Sequence, residues 1–451
     1  MRLAVVVQRY GADINGGAEL HARYIAEHLA PHASVEVLTT CARDYITWRN
    51  ELPAGVEDIN GLPVRRFPVS RERDVTDFGR RSAQVFERTH SLNDELAWLE
   101  SEGPTSPALV EYARTHRDEF DYFILFSYRY YHAYRIARAL GSQSILVPTA
   151  ERDPAIGLSL FGPVFRGVRA LMYNSPEERA MIHGVSGNDA VPGVVVGIGS
   201  NVPTTADPLR FRKTFGVPDR FMLYVGRIDE NKGCKELFDF VIRYNARERA
   251  GLTLVLVGQA VMPVPAHPRI RHVGFLDDDD KFDALAAAEF LVMPSYFESL
   301  SMVAIEAWGM GRPVLANAKC DVLQGQCLRS NAGLYYESYE EFAEALHVLM
   351  ANRALTDALG RNGRAFFARH YSWPVIERAY LDMLRQLEGA PAGAVSTPDA
   401  DTLPGWFARR RRILPPGREP LDRVASGPVR PAVLDTGPGS QPTRSGRGRR
   451  R

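Results

Sequence analysis

Pro294-Ser295-Tyr296-Phe297-Glu298-Ser299-Leu300-Ser301-Met302-Val303-Ala304-Ile305-Glu306-Ala307-Trp308-Gly309-Met310-Gly311-Arg312-Pro313-Val314 reads as strand, loop, helix, glycine turn and strand. In an open α/β sheet, ligands bind beyond the carboxyl ends of the strands, so Glu298, on the loop after the apolar run Phe290 to Pro294, lies where a substrate should sit. Ser299, Leu300 and Ser301 then open the helix, where free backbone N–H groups and the helix dipole suit a phosphate. Glu306, about two turns into that helix, can line the same crevice at another depth. A carboxylate accepts sugar or ribose hydroxyls well, although an isolated pair of glutamates reads as readily as solvated helix charge.

The neighbouring context decides between those readings. Tyr224-Val225-Gly226-Arg227-Ile228-Asp229-Glu230-Asn231-Lys232-Gly233 again follows a strand. Arg227 and Lys232 share one loop, from which two cationic heads can converge on a diphosphate and stabilise the charge that grows as a bond to it breaks. Near the N-terminus, Gly16-Gly17-Ala18-Glu19 opens another helix, and paired glycines let backbone approach a ligand closely or make a plain tight turn. A dinucleotide fingerprint G-x-G-x-x-G is absent there.

Outward from these motifs the chain repeats one rhythm. Leu3 to Gln8, Val35 to Thr39, Tyr122 to Phe126, Ile145 to Pro148 and Ala170 to Tyr173 are strand candidates separated by helix-patterned stretches. A polar, helical insertion between Gly79 and Arg117, including Ser91 to Glu102, interrupts them and is of the kind that shapes a pocket. The pattern restarts at Phe221 to Gly226 and continues through Leu252 to Gly258, Arg271 to Phe275, Phe290 to Pro294 and Pro313 to Asn317. The expected architecture is α/β, with a first Rossmann-like domain over residues 1–200, a second over 201–371, a crossover helix over 372–388 and a disordered basic tail over 389–451. The junction falls in the Gly/Pro-punctuated stretch Pro192 to Pro218.

Composition bounds the partners. At 451 residues, 45% hydrophobic, 24% charged and a formal net charge of +1, the chain reads as a globular enzyme rather than a disordered or nucleic-acid-coating protein. Cys41, Cys234, Cys320 and Cys327 form no paired short spacing, which favours buried or free thiols in a reducing compartment over a metal site. The apolar start Leu3 to Gln8 is too short for a signal core, and no run of about 18 apolar residues occurs, so the expectation is a cytoplasmic protein with at most peripheral membrane contact. Arg409 to Arg412, behind Trp406 and Phe407, and Arg447 to Arg451 could supply that contact at the inner face of a membrane, or be solvated charge; no specific nucleic acid is expected.

Gly226-Arg227 with Lys232-Gly233, then Glu298, seven residues and Glu306, then Gly311-Arg312-Pro313-Val314, resembles the donor half of retaining glycosyltransferases of glycosyltransferase family 4, which have the GT-B fold. The resemblance is strong over Phe221 to Tyr371. It implies two facing Rossmann-like domains, a nucleotide-diphosphate sugar as donor, no cofactor and no metal. It also implies roles: Arg227 and Lys232 bind the diphosphate, Glu298 the transferred sugar and Glu306 the ribose, while Ser299, Leu300 and Ser301 offer backbone amides. Many members carry glycine where this chain has Ser301. Gly16 and Gly17 resemble the family's first-domain loop facing the donor phosphates and the acceptor.

On the acceptor side the family often places a histidine; this chain reads Val147-Pro148-Thr149-Ala150-Glu151-Arg152-Asp153 at the comparable loop. Glu151 or Asp153 can orient an acceptor hydroxyl, and either reads equally as a solvated loop acid. The implied reaction is transfer of a hexose-type sugar with retention of configuration to a glycan, lipid or small-molecule hydroxyl, in polysaccharide, glycolipid or glycoside assembly. A sugar-nucleotide epimerase or phosphorylase of the same fold, or a non-catalytic nucleotide-sugar-binding subunit, is the alternative.

Overall fold

The computed structural model describes residues 1–14, 16–248 and 251–389; the basic tail lies, from residue 390 on, outside the described residues. Two sheets organise the chain. The first contains β1 (Arg2–Val6), β2 (Ser34–Thr40), β3 (Gly55–Ile59), β4 (Leu62–Phe67), β5 (Tyr122–Phe126), β6 (Ser144–Val147), β7 (Ala170–Tyr173) and β8 (Gly193–Val195). Their order is β3-β4-β2-β1-β5-β6-β7-β8, parallel except for the edge hairpin β3–β4. The central strand β5 is buried throughout, as a near-continuous apolar run covered on both faces requires.

The second sheet contains β9 (Phe221–Val225), β10 (Thr253–Val257), β11 (Ile270–Gly274), β12 (Phe290–Met293), β13 (Val314–Asn317) and β14 (Gly333–Tyr336), ordered β11-β10-β9-β12-β13-β14 and all parallel. Neighbours β9 and β12 therefore present their carboxyl ends side by side. Those ends carry the two loops that hold Arg227, Lys232 and Glu298.

The insertion forms helices Val75–Glu87, Leu92–Glu102 and Pro107–Thr115. Ser91 and Asp94 make a reciprocal capping box at the start of the second. The same helix sends the buried Glu95 carboxylate to the N–H groups of Ser159 and Leu160 at 3.1 and 2.8 Å, which locks the insertion onto the first domain.

The Gly/Pro-punctuated junction holds the short strand β8, in the first sheet, and the helix Pro208–Phe215. That helix already belongs to the second domain: Arg210 bonds Asp283 at 2.6 Å, and the Asp207 N–H donates to the same carboxylate. After helices Tyr339–Ala351 and Arg353–His370, the helix Trp373–Leu387 returns to the first domain. Trp373 stacks on His28 at 3.6 Å, meets Tyr24 edge-on and donates to Asn201 Oδ1 at 2.7 Å. His28 also lies 2.6 Å from Glu377, and Arg169 donates to the carbonyl of Leu387 at 3.0 Å. Among the described residues, no helix is long and apolar enough to cross a membrane.

Trp373 ties the returning helix to both the first domain and the linker, so Trp373→Ala is expected to cost about 3 kcal/mol or more. The measurement is the midpoint of denaturant unfolding followed by circular dichroism. An unchanged midpoint would show that this helix contributes nothing to the stability of the first domain.

Candidate functional site

The site is assembled by two close backbone approaches. Gly233 has φ 73°, and a Cβ at that position would lie 2.1 Å from the carbonyl oxygen of Pro294. The loop after β9 is therefore pressed directly against the loop after β12, as only glycine permits. Across that contact Lys232 Nζ donates to Glu298 Oε1 at 2.8 Å. Burial works against the Lys232 ammonium, but Glu298 and then Glu151 outweigh it and hold the lysine above its ordinary range.

Asp229, buried at the base of the loop, sets the positions of both cations: its carboxylate accepts the Lys232 N–H at 2.8 Å and pairs with the Arg227 guanidinium. Arg227 itself is about half exposed and reaches outward. Gly226 precedes it with φ 150° at the end of β9. Asp229 is none of the motif residues above; its one signal in the sequence is that of an acid two residues beyond an arginine on a tight loop.

The helix after β12 begins at Met302, with Ser301 as its N-cap, and Ser299 and Leu300 lie just ahead of it. Ser301 has φ 84°, a region that favours glycine, and its hydroxyl accepts the Ala304 N–H at 3.4 Å. The serine thus combines a strained backbone with a capping bond that glycine would lack. Leu300 is buried in the core, whereas Ser299 Oγ faces the first domain and accepts from Asn174 Nδ2 at 3.3 Å.

Glu306 occupies a different environment from Glu298. It is buried, and its Oε1 accepts from Lys281 Nζ at 3.0 Å and from Ser200 Oγ, on the interdomain linker, at 3.1 Å. Burial pushes its carboxyl up, and Lys281 opposes that. Lys281, on the helix Asp278–Ala287, escaped sequence reading because its partner is 25 residues away.

From the first domain, Gly16 and Gly17 lie at the start of the helix Gly17–Leu29. A Cβ on Gly16 would fall 2.1 Å from Glu19 Oε2, and the Glu19 carboxylate is held by Arg9 at 2.6 Å; the position next to Gly17 is open. The loop after β6 separates the two acids that the sequence left as alternatives. Asp153 is engaged by the N–H groups of Ala155 and Ile156 and by Arg129. Glu151 is half-buried; burial pushes its carboxyl up to about 7, with Lys232 opposing and Glu298 reinforcing the shift. His132, by contrast, is buried with burial holding its imidazole down at about 3. Direct links also cross the cleft: Arg152 pairs with Asp321 at 2.6 Å, and Arg329 Nη2 donates to Glu177 at 3.0 Å.

Cys41, Cys234, Cys320 and Cys327 are buried free thiols. Among the described residues, no three His, Cys, Asp or Glu side chains come together as a metal-binding group.

The family described as "Glycosyl transferases group 1" matches residues 219–352, the stretch that carries both motif loops. That match lies within the second domain. The lipopolysaccharide core biosynthesis glycosyltransferase LpsE of Rhizobium meliloti is 29% identical over 174 residues, 36% of this chain and 49% of that protein. The chain spans about half the length of that relative and of a 23% identical glycosyltransferase of Methanocaldococcus jannaschii. Among solved structures, sucrose-phosphate synthase from Thermosynechococcus elongatus superposes with a TM-score of 0.65 at 19% identity, covering 86% of this chain and 100% of that one. HepE of Anabaena, solved in complex with UDP-glucose, gives 0.60 at 17% identity, covering 85% and 99%. The fold of the two domains is GT-B.

The Glu151 carboxyl has a sign to test. A folded-state pKa raised above the unfolded value contributes stability present below the unfolded pKa and lost as pH rises through the folded one. Stability is therefore expected to decline between about pH 5 and 8, the window set by the shift of Glu151 to about 7. Glu151→Gln should raise the melting temperature relative to the parent more at pH 8 than at pH 5. An equal difference at both pH values would mean that this carboxyl titrates normally.

Proposed function

We propose that the protein is a retaining glycosyltransferase that moves a sugar from a nucleotide-diphosphate donor to an acceptor hydroxyl. The observation that carries this reading is the Lys232–Glu298 pair at the joined ends of β9 and β12, with Arg227 on the same loop, inside the stretch that the group 1 family matches. In this reading the diphosphate sits against Lys232, Arg227 and the backbone amides around Ser299 to Ser301. Glu298 accepts hydroxyls of the transferred sugar, and the ribose engages Glu306 by displacing its bond from Ser200. Gly16 and Gly17 close on the phosphates from the opposite domain.

As the bond between the anomeric carbon and the phosphate oxygen breaks, the two cations stabilise the charge left on the diphosphate. The acceptor oxygen forms the new bond on the same face, and its proton passes to the departing phosphate oxygen. Glu151 orients the acceptor hydroxyl on the leaving-group face, so the protein contributes orientation and leaving-group stabilisation without a cofactor or metal. The cross-cleft bonds of Arg152, Arg329 and Asn174 suit a closed state that keeps water from the donor.

HepE holding UDP-glucose supports a nucleotide-sugar donor, with a hexose as the sugar moved, and the lipopolysaccharide core biosynthesis of the Rhizobium relative supports a glycolipid or glycan acceptor. A cytoplasmic site of action, at the inner face of the membrane where the acceptor is a lipid, accompanies that reading.

The test is a panel of UDP-, GDP- and ADP-sugars with octyl glycosides as acceptors, scored by thermal shift, nucleotide release and the anomeric configuration of the product. One donor should stabilise the protein and be turned over, with Lys232→Ala and Glu298→Ala each lowering kcat by about 100-fold or more. Product of inverted configuration would overturn the retaining mechanism, and donor isomerisation without acceptor would favour an epimerase. Absence of binding by every sugar nucleotide would remove the assignment of these residues altogether.

A further inference from the structure

Glu178 is a buried carboxylate to which the transfer just described gives no part. It occupies the third position of the helix Pro176–Ser186, where Ser175 caps its N–H at 3.1 Å. An ordinary acid in a first helical turn serves its own helix end. Glu178 instead divides its two oxygens between two loops: Oε1 accepts the N–H of Ala150, on the loop after β6, and Oε2 that of Asn174, after β7, each at 2.5 Å.

Both recipients adjoin the cleft. Ala150 immediately precedes Glu151, and Asn174 is the residue that donates to Ser299 on the donor loop. The backbone just before Ala150 is strained as well. Thr149, a β-branched residue, has φ 48°, and its hydroxyl lies 2.8 Å from that of Ser127, itself at φ 65°. Such conformations persist where the surroundings over-determine them, and they cluster at functional sites.

We propose that Glu178 is a positioning residue for glycosyl transfer: one carboxylate fixes the loop bearing Glu151 and the loop bearing Asn174, and so holds the acceptor acid in register with the donor loop across the cleft. The proposal rests on the transferase reading above. Its energetics fit. Burial pushes the Glu178 carboxyl up to about 8, the N–H groups of Asn174 and Ala150 oppose that, and Glu151 adds to it, so a group costly to bury is retained where its two bonds set the site.

The test is a double-mutant cycle of Glu178→Gln and Glu151→Gln, assayed with the sugar nucleotide that the parent protein turns over and an octyl glycoside acceptor. Glutamine keeps the shape of Glu178, but its amide group cannot accept the second N–H. Glu178→Gln is expected to lower kcat for transfer about 10-fold to 100-fold, with donor KM and donor-induced thermal shift unchanged. In the Glu151→Gln background it should cost less than about twofold, because residues that act through one another are not additive. Full kcat in Glu178→Gln would overturn the proposal. So would an equal loss in both backgrounds accompanied by a lower melting temperature, which marks a purely structural carboxylate. A parent protein that turns over no sugar nucleotide would refute the transferase reading, and this proposal with it.

Discussion

The close approach of Gly233 to the Pro294 carbonyl is the constraint on which the Lys232–Glu298 pair depends. Parallel neighbours β9 and β12 stand one strand spacing apart, but their loops could still diverge. Removing the side chain at Gly233 brings the two loops into backbone contact, and a lysine one residue earlier then reaches a glutamate four residues beyond Pro294. Asp229 completes the arrangement by fixing the intervening turn through the Lys232 N–H and orienting Arg227 outward. Any side chain at position 233 would have to separate the loops, and with them the ammonium from the carboxylate.

A second set of contacts relates the two domains. Ser200, on the linker, bonds Glu306 in the second domain, and Asn201, the next residue, accepts from Trp373 of the returning helix. Trp373 in turn packs on Tyr24 and His28 of the first helix, the one that begins at Gly17. The helix carrying the paired glycines and the helix carrying Glu306 are therefore connected through one short stretch of linker. A ligand that competes with Ser200 for Glu306 acts on the same segment that sets the angle between the domains.

Most of the fold was legible because both sheets are built from buried, nearly continuous apolar runs such as Phe290–Met293 and Tyr122–Phe126. The elements that escaped lack that signature. β3 reads Gly-Val-Glu-Asp-Ile and is almost wholly exposed at the sheet edge; its only mark is the Asn60-Gly61 turn, with φ 54° and 79°, joining it to β4. β8 and β14 are three and four residues long. Of the candidate site residues, Arg227, Lys232, Glu298 and Glu151 can be nominated from the sequence because each sits just beyond an apolar strand, where ligands of such sheets bind. Lys281 and Glu178 sit on helices, and their bonds reach partners 25 and 28 residues away, which no local pattern encodes.

The charge balance of the cleft gives these residues a common logic. Glu151 and Glu298 both act on one ammonium, Lys232, which is raised in consequence while Glu151 is driven toward neutrality. In the proposed transfer, two ionised acids beside Lys232 would offset its attraction for the donor diphosphate. A Glu151 carboxyl that takes up a proton near pH 7 removes one of those negative charges without removing the hydrogen-bonding group. On that reading, proton uptake at Glu151 and anion binding at Lys232 and Arg227 reinforce each other, because each lowers the electrostatic cost of the other. In the proposed transfer, the raised Glu151 carboxyl would let an acid stand beside the donor diphosphate and still orient the acceptor hydroxyl.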